Sequence, residues 1–463
     1  MRDCIYGLDV KVPLLDGSMV RYVNLDNAAS TPPLVKVVDA ITKLAPFYSS
    51  VHRGTGFKSR LCTDAYDRAH EIIADFVGAD TELNTVIFVK NATEAINKLS
   101  HRINIPEDSI VISTCMEHHS NDLPWRDHFR TLHVRVTDDG RLDEEHFDML
   151  LRKNAGKIAL VTVTGASNVT GYIQPIYRYA QKAHEAGARI MVDAAQLAPH
   201  RRIDMKSDDD PEHLDFLVIS GHKMYAPYGT GALIGPKQEF LNSGPDYSGG
   251  GTVDMVTPDE VYWAGMPDRD EAGSPNIMGA IAMAVAARTL MDKGLDTIAE
   301  HERKLTAYAL EKLGDMPGVH VYGETDPEKS HERVGVIPFN LEGTDHALLA
   351  AVAGYEAGVG VRNGCFCAHP YVVSILKLDE SETTTWRAQF IKGDKSRMPG
   401  MVRMSFGCYS NTEDVDRLIE ALKMIQNGDY SGDYYQIPKT GEFVPKNFSD
   451  NYTLFWDPYG NEK

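Results

Sequence analysis

The 463-residue chain is too long for one small core and has room for a large domain plus a smaller one. Its 43% hydrophobic and 24% charged residues are those of a globular protein, and no apolar run approaches the roughly 20 residues of a membrane span. A formal net charge of −19 argues against nucleic-acid binding, which needs a basic face, and six scattered cysteines make no disulfide framework.

In chain order, Met1-Arg2-Asp3-Cys4-Ile5-Tyr6 lacks the apolar core of a signal peptide, so a cytoplasmic location with free thiols is expected. Residues 22–33, broken by small residues and Pro32-Pro33, read as an ordered loop. Helical periodicity covers 34–45 and 62–78. From about 85 to 290, strand-like runs alternate with amphipathic helices. The strands are Thr85–Val89, Ser109–Ser113, His133–Val136, Ile158–Val163, Arg189–Val192, Phe216–Ile219 and Gly231–Ile234. Such alternation predicts an α/β fold with a mostly parallel sheet covered by helices on both faces. One long helical stretch is expected near 277–314. Val334–Phe339 and Met401–Ser405 then read as strands and Thr412–Ile425 as an amphipathic helix, which makes a smaller α+β domain. The expected division is an N-terminal segment 1–30 packing with the small domain, a large domain 31–295, a small domain 296–426 and a tail 427–463. The tail, rich in Asp, Gly, Pro and Tyr, reads as partly ordered surface chain or as a subunit-contacting arm.

In open α/β sheets, ligands sit outside the carboxyl ends of the strands. Past Thr85–Val89, the turn Lys90-Asn91-Ala92-Thr93 opens a helix whose N–H groups, dipole and Thr93 hydroxyl make a phosphate seat. Past the next strand, His118 is placed to stack on a flat ring. Asn168 and Gln196 follow two later strands, the latter beside the small Ala194 and Ala195. Asp193 ends one apolar strand, and Ser220-Gly221-His222-Lys223-Met224 follows another. A lysine just past a buried strand is desolvated towards its neutral, nucleophilic amine. An amine and an acid delivered by two strand ends are what pyridoxal phosphate needs. The lysine holds its aldehyde as a Schiff base, and the acid keeps the pyridine nitrogen protonated. Singly, each group is also an ordinary cap or a satisfied loop residue; a suitable group at five successive strand ends is not.

These stretches resemble the class V aminotransferase family of fold-type I pyridoxal-phosphate enzymes, and within it the group II cysteine desulfurases and selenocysteine lyases. The resemblance spans about 22–425. It rests on Leu25-Asp26-Asn27-Ala28-Ala29, Val51-His52-Arg53-Gly54, Thr93-Glu94-Ala95-Ile96-Asn97, Glu117-His118-His119-Ser120-Asn121, Val192-Asp193-Ala194-Ala195-Gln196, Ser220-Gly221-His222-Lys223 and Glu271-Ala272-Gly273-Ser274-Pro275-Asn276. It implies a seven-stranded sheet, pyridoxal 5'-phosphate as cofactor and a homodimer. By resemblance, Lys223 links to the cofactor, Asp193 pairs with the pyridine nitrogen and His118 stacks on the ring. Gln196 and Asn168 address the ring oxygen; Thr93, Ser220 and His222 hold the phosphate. Thr252, after Gly250-Gly251, reaches the phosphate of the neighbouring subunit. Arg403 clamps the substrate carboxylate, with Ala28 and Asn168 on the substrate side.

Arg362-Asn363-Gly364-Cys365-Phe366-Cys367-Ala368-His369-Pro370 is a second diagnostic stretch, in which Cys367 matches the nucleophile of the group II loop. The implied reaction takes L-cysteine to L-alanine. Lys223 accepts the α-proton, and Cys367 keeps the sulfur as a persulfide for an acceptor protein. Arg362, His369 or His118 are the cations expected to favour the thiolate. Histidines are usual in the family at the positions of Cys365 and Phe366, and Gly-Cys-Phe-Cys also resembles the molybdenum-cofactor sulfurases. Cys365 reads as an apolar filler or as a second thiol able to receive sulfur. No second ligand pair completes a metal site with the two cysteines, so no metal is expected. Residues 371–400 exceed the family's usual connection and would cover the pocket, reshape the substrate site or dock an acceptor. A lyase, epimerase or aminotransferase of the same fold with Cys367 a bystander is the alternative, and a non-catalytic scaffold the remote one.

Overall fold

The computed structural model describes residues 1–106, 108–242, 244–446 and 448–458. Its large sheet contains β1 (Asn84–Val89), β2 (Ile110–Thr114), β3 (Arg130–Val134), β4 (Ile158–Thr164), β5 (Arg189–Asp193), β6 (Phe216–Ser220) and β7 (Gly231–Pro236). They lie in the order β1-β7-β6-β5-β4-β2-β3. Only β7 runs antiparallel to its neighbours; the other pairs are parallel. Every residue of β2 and β6 is buried, because helices cover both faces of the sheet. That is why the buried strands stand out in the sequence as apolar runs with only their ends displaced, whereas the edge strand β3 is mostly not buried and begins three residues before the expected His133–Val136.

On one face the helix Phe57–Phe76 packs against Ile277–Lys293, whose buried Ala280, Ala284 and Ala287 allow close approach. The single helical stretch expected over 277–314 is two helices, Ile277–Lys293 and Leu295–Gly314. Gly294 separates them at φ +79°, a conformation that L side chains rarely adopt.

The second sheet is β8 (Val319–Val321), β9 (Val336–Leu341), β10 (Arg362–Gly364) and β11 (Met401–Ser405), in the order β8-β9-β11-β10 and antiparallel throughout. Its core joins Leu305, Phe339, Leu418 and Leu422 to Val23 and Leu25 from the start of the chain. Part of the loop expected at 22–33 is therefore extended: Val23–Asn24 pairs in parallel with Val359–Gly360. Arg2 and Arg21 both bind the Asp414 carboxylate at 3.0 Å.

The extra segment forms a helix Glu380–Ile391, started by a reciprocal Asp379–Glu382 cap. The tail is partly ordered: Tyr434–Gln436 and Phe443–Pro445 form a hairpin. It rests on the extra segment, with Gln436 donating to the Ser396 carbonyl and the Lys395 N–H donating to Pro438. The tail positions 447 and 459–463 lie outside the described residues. No described helix is long and apolar enough to cross a membrane.

Candidate active site

A cleft of about 460 Å³ opens at the carboxyl ends of the large-sheet strands, beneath β11. Ala28, Thr93, His118, Asn168, Asp193, Gln196, Ser220, His222, Lys223, Cys367 and Arg403 all line it. Thr252 does not. Its hydroxyl donates to the Gly249 carbonyl (2.8 Å), and the flanking Gly250 and Gly251 belong to a separate cavity with His52 and Arg53.

The floor is set by two parallel strands. Asp193 ends β5, and Lys223 follows β6 in a short turn, Gly221–Lys223. Desolvation lowers the Lys223 amine to about 8, with the Asp193 charge opposing and Arg403 assisting. Burial raises the Asp193 carboxyl above its ordinary range, offset by the Ala195 N–H at 3.0 Å and by Lys223. Lys223 Nζ donates to Gln196 Oε1 at 3.3 Å.

One wall is the first turn of the helix Ala92–Arg102. Asn91 caps it by accepting from the Glu94 N–H, which sets Thr93 at the dipole's positive end. Thr93 Oγ1 lies 2.7 Å from Ser120 Oγ, which lies 3.0 Å from His118 Nδ1. The Ser120 N–H also donates to that nitrogen (3.1 Å), so Nδ1 carries no proton. Desolvation and Lys223 lower the imidazole to about 3 and keep it neutral. Beneath it, buried Glu117 accepts from Thr114 Oγ1, the Thr164 N–H and Asn121 Nδ2, and burial lifts its carboxyl to about 8. Asn121 in turn fixes Thr162 and the Trp125 indole. Ser120 and Glu117 had no role in the sequence reading, although both stand in the quoted Glu117–Asn121 stretch.

Overhead, Arg403 projects from β11. Its Nη1 donates to the Asn168 carbonyl at 2.9 Å, Nη2 meets Asp26 at 3.0 Å, and the guanidinium lies 4.8 Å from the Phe366 ring centre. Among the described residues its Nε is buried without a partner, and burial lowers the group to about 10. Asp26, the other residue that sequence reasoning missed, also holds Arg362 at 3.0 Å. The adjoining loop carries Phe366 and Cys367 at φ +52° and +55°. Asn168 Nδ2 donates to the Phe366 carbonyl (2.7 Å) and the His119 N–H to the Cys367 carbonyl (2.8 Å), so the loop is pinned from below with its thiol exposed.

Asn168 lines the cleft and donates from its amide to the Phe366 carbonyl. Cys365 is buried, donates to the Pro399 carbonyl (3.1 Å) and is pushed by burial to about 12, which fits the apolar filler of the two alternatives. Of the cations expected near Cys367, His118 and His369 are lowered below their ordinary values by burial, and Arg362 is engaged by Asp26. Lys223 and Arg403 are the cations whose charge responds to Cys367. His369 stacks on His119 at 4.8 Å, and Trp386 of the extra helix also stacks on His369 at 5.9 Å.

The family model described as "Aminotransferase class-V" matches residues 23–418. A cysteine desulfurase of Haloferax volcanii is 33% identical over 90% of this chain and 92% of its own. A probable cysteine desulfurase of Staphylococcus aureus is 35% identical over 89% and 94%. Among solved structures, an apo cysteine desulfurase from Thermococcus onnurineus superposes with a TM-score of 0.76 at 29% identity, covering 88% of this chain and 95% of that one. An Escherichia coli cysteine desulfurase gives 0.73 at 25% identity, covering 88% and 95%. By the length of these matches and by its fold, the chain belongs to the class-V aminotransferase family.

Proposed function

We propose that the protein is a cysteine desulfurase that uses pyridoxal 5'-phosphate and passes sulfur from L-cysteine to an acceptor through Cys367. The observation that carries this reading is that the exposed Cys367 thiol shares one cleft with Lys223 and Arg403.

The donor set fits the cofactor. Among the described residues Ser220 Oγ, buried on the cleft wall, has no partner, and it shares the cleft with Thr93 in the first turn of a helix, which suits a phosphate. Thr93, Ser220 and His222 would hold that phosphate, Asp193 the ring nitrogen, His118 the ring face, Gln196 the ring oxygen and Lys223 the aldehyde carbon. Bound there, the cofactor supplies an electron sink for charge developing at the substrate's α-carbon.

The chain's own residues do the rest. Arg403 orients the substrate carboxylate through its guanidinium edge, with Asp26 and Asn168 fixing its plane. Lys223 takes the α-proton on Nζ and returns a proton to carbon, a task suited to an amine lowered to about 8. Cys367 Sγ attacks the substrate sulfur: the S–S bond forms and the substrate's Cβ–S bond breaks. The electron pair left on carbon is protonated, so alanine departs and Cys367 keeps a persulfide. Thr252 lies outside its own chain's cleft, which suits a homodimer in which it serves the partner's phosphate.

The test is incubation of the cofactor-loaded protein with L-cysteine, followed by mass analysis of the peptide holding Cys365 and Cys367. One added sulfur on Cys367, abolished in Cys367→Ala along with sulfide release, is expected. Full turnover by Cys367→Ala would instead favour a lyase, epimerase or aminotransferase with a bystander thiol.

A further inference from the structure

Away from the cleft, at the opposite end of β6, a second cluster stands apart from this chemistry. His184 lies in the last turn of the helix Ile176–Glu185, His213 in the loop before β6, and Asp215 directly precedes the strand. Their ligand atoms all lie within 4.8 Å of one another, and the side chains are 19%, 19% and 12% exposed. Lys223 follows the other end of the same strand, whose five residues span about 17 Å, so the cluster is separate from the active site.

Hydrogen bonds settle where the ring protons sit. His184 Nδ1 is 2.8 Å from the Pro211 carbonyl, and His213 Nδ1 is 2.7 Å from the Asp210 carbonyl. Carbonyls only accept, so both Nδ1 atoms carry a proton. Both Nε2 atoms then turn towards the Asp215 carboxylate, at 2.9 Å and 3.6 Å, from rings stacked 4.2 Å apart. The Ile190 N–H holds the same carboxylate at 2.8 Å. Two nitrogen lone pairs aimed at a carboxylate need positive charge between them: either a proton on each ring or one shared cation. An Nδ1–H anchored on a backbone carbonyl is the outer contact that orients metal-binding imidazoles.

We infer that His184, His213 and Asp215 bind zinc or a similar borderline divalent metal through two Nε2 atoms and one carboxylate oxygen, with water completing the shell. Two imidazoles and a carboxylate suit such an ion better than calcium or magnesium. The site ties a helix end, a loop and the start of β6 together, so its effect is on stability and not on turnover. The expectation of no metal rested on Cys365 and Cys367 and did not consider these residues.

The test uses cofactor-loaded protein carrying Cys367→Ser, which removes the exposed thiol as a competing ligand. Titration with zinc chloride by calorimetry should give one zinc per chain and a raised Tm. X-ray absorption at the zinc edge should show a nitrogen and oxygen shell without sulfur, which needs no further variant. Adding His213→Gln or, separately, Asp215→Asn should weaken binding roughly tenfold or more. With Cys367 intact, neither change should alter cysteine turnover. Absence of zinc uptake, sulfur in the shell, or an isotherm indifferent to both substitutions would overturn the site and leave two protonated imidazoles paired with Asp215.

Discussion

At the scale of single residues, the cleft works by choosing protonation states. Lys223 titrates near 8 because solvent is excluded around it, so uptake of pyridoxal phosphate by apoprotein should accelerate as pH rises through about 8 and level off above. Stopped-flow absorbance checks this; a rate still climbing towards pH 10 would mean an unperturbed amine. Arg403 presents a planar fork that a lysine cannot copy. Arg403→Lys should therefore raise KM for cysteine roughly 10- to 100-fold, the loss of one charge-assisted contact, with kcat less affected. Asp26→Asn should move the same parameter in the same direction, because it releases the Arg403 guanidinium. Lys223, Asp193 and Cys367 were legible because their chemistry is tied to strand ends and to a recognisable loop. Asp26 and Ser120 were not, because their work is to hold another side chain: Asp26 meets Arg403 377 positions away, and Ser120 meets His118 in a loop whose pattern does not announce the contact.

Among the elements, legibility followed burial. The buried strands of the large sheet read as apolar runs, whereas the edge strand β3 is partly exposed and was expected three residues too late, and β8 and β10, three residues long and partly exposed, were missed. A helical pattern also continued across Gly294, where only the backbone dihedral reveals the break. Gly294→Ala should cost about 1–3 kcal/mol, measured as a shift of the urea midpoint at constant slope. A smaller effect would mean that this junction relaxes freely. The extra helix touches the thiol loop through the Trp386–His369 stack. Trp386→Ala should expose residues 376–400 to limited proteolysis at native pH; an unchanged digestion pattern would show that the capping box alone holds the helix.

Over the whole molecule, the two cores are locked by Glu302, whose carboxylate meets His200 at 2.7 Å and also binds Arg201. Burial alone would push this carboxyl up, but His200, Arg201 and the Gly335 N–H outweigh burial and hold it well below its ordinary range. A folded-state value below the unfolded one stabilises the protein above about pH 4.5 and loses that contribution as pH falls towards about 2. Glu302→Gln should cost about 3–5 kcal/mol at neutral pH and flatten the acid limb of the stability profile, as denaturant titrations at several pH values would show. The second core also makes a demand in time. Its interior needs Val23 and Leu25 together with Met404 and Leu418, so a chain emerging from the ribosome carries the first pair unpaired until nearly all of it has been made. The large sheet can close long before that. Arrested nascent chains ending near residue 300 should therefore resist protease across the sheet while their first thirty residues are still cut.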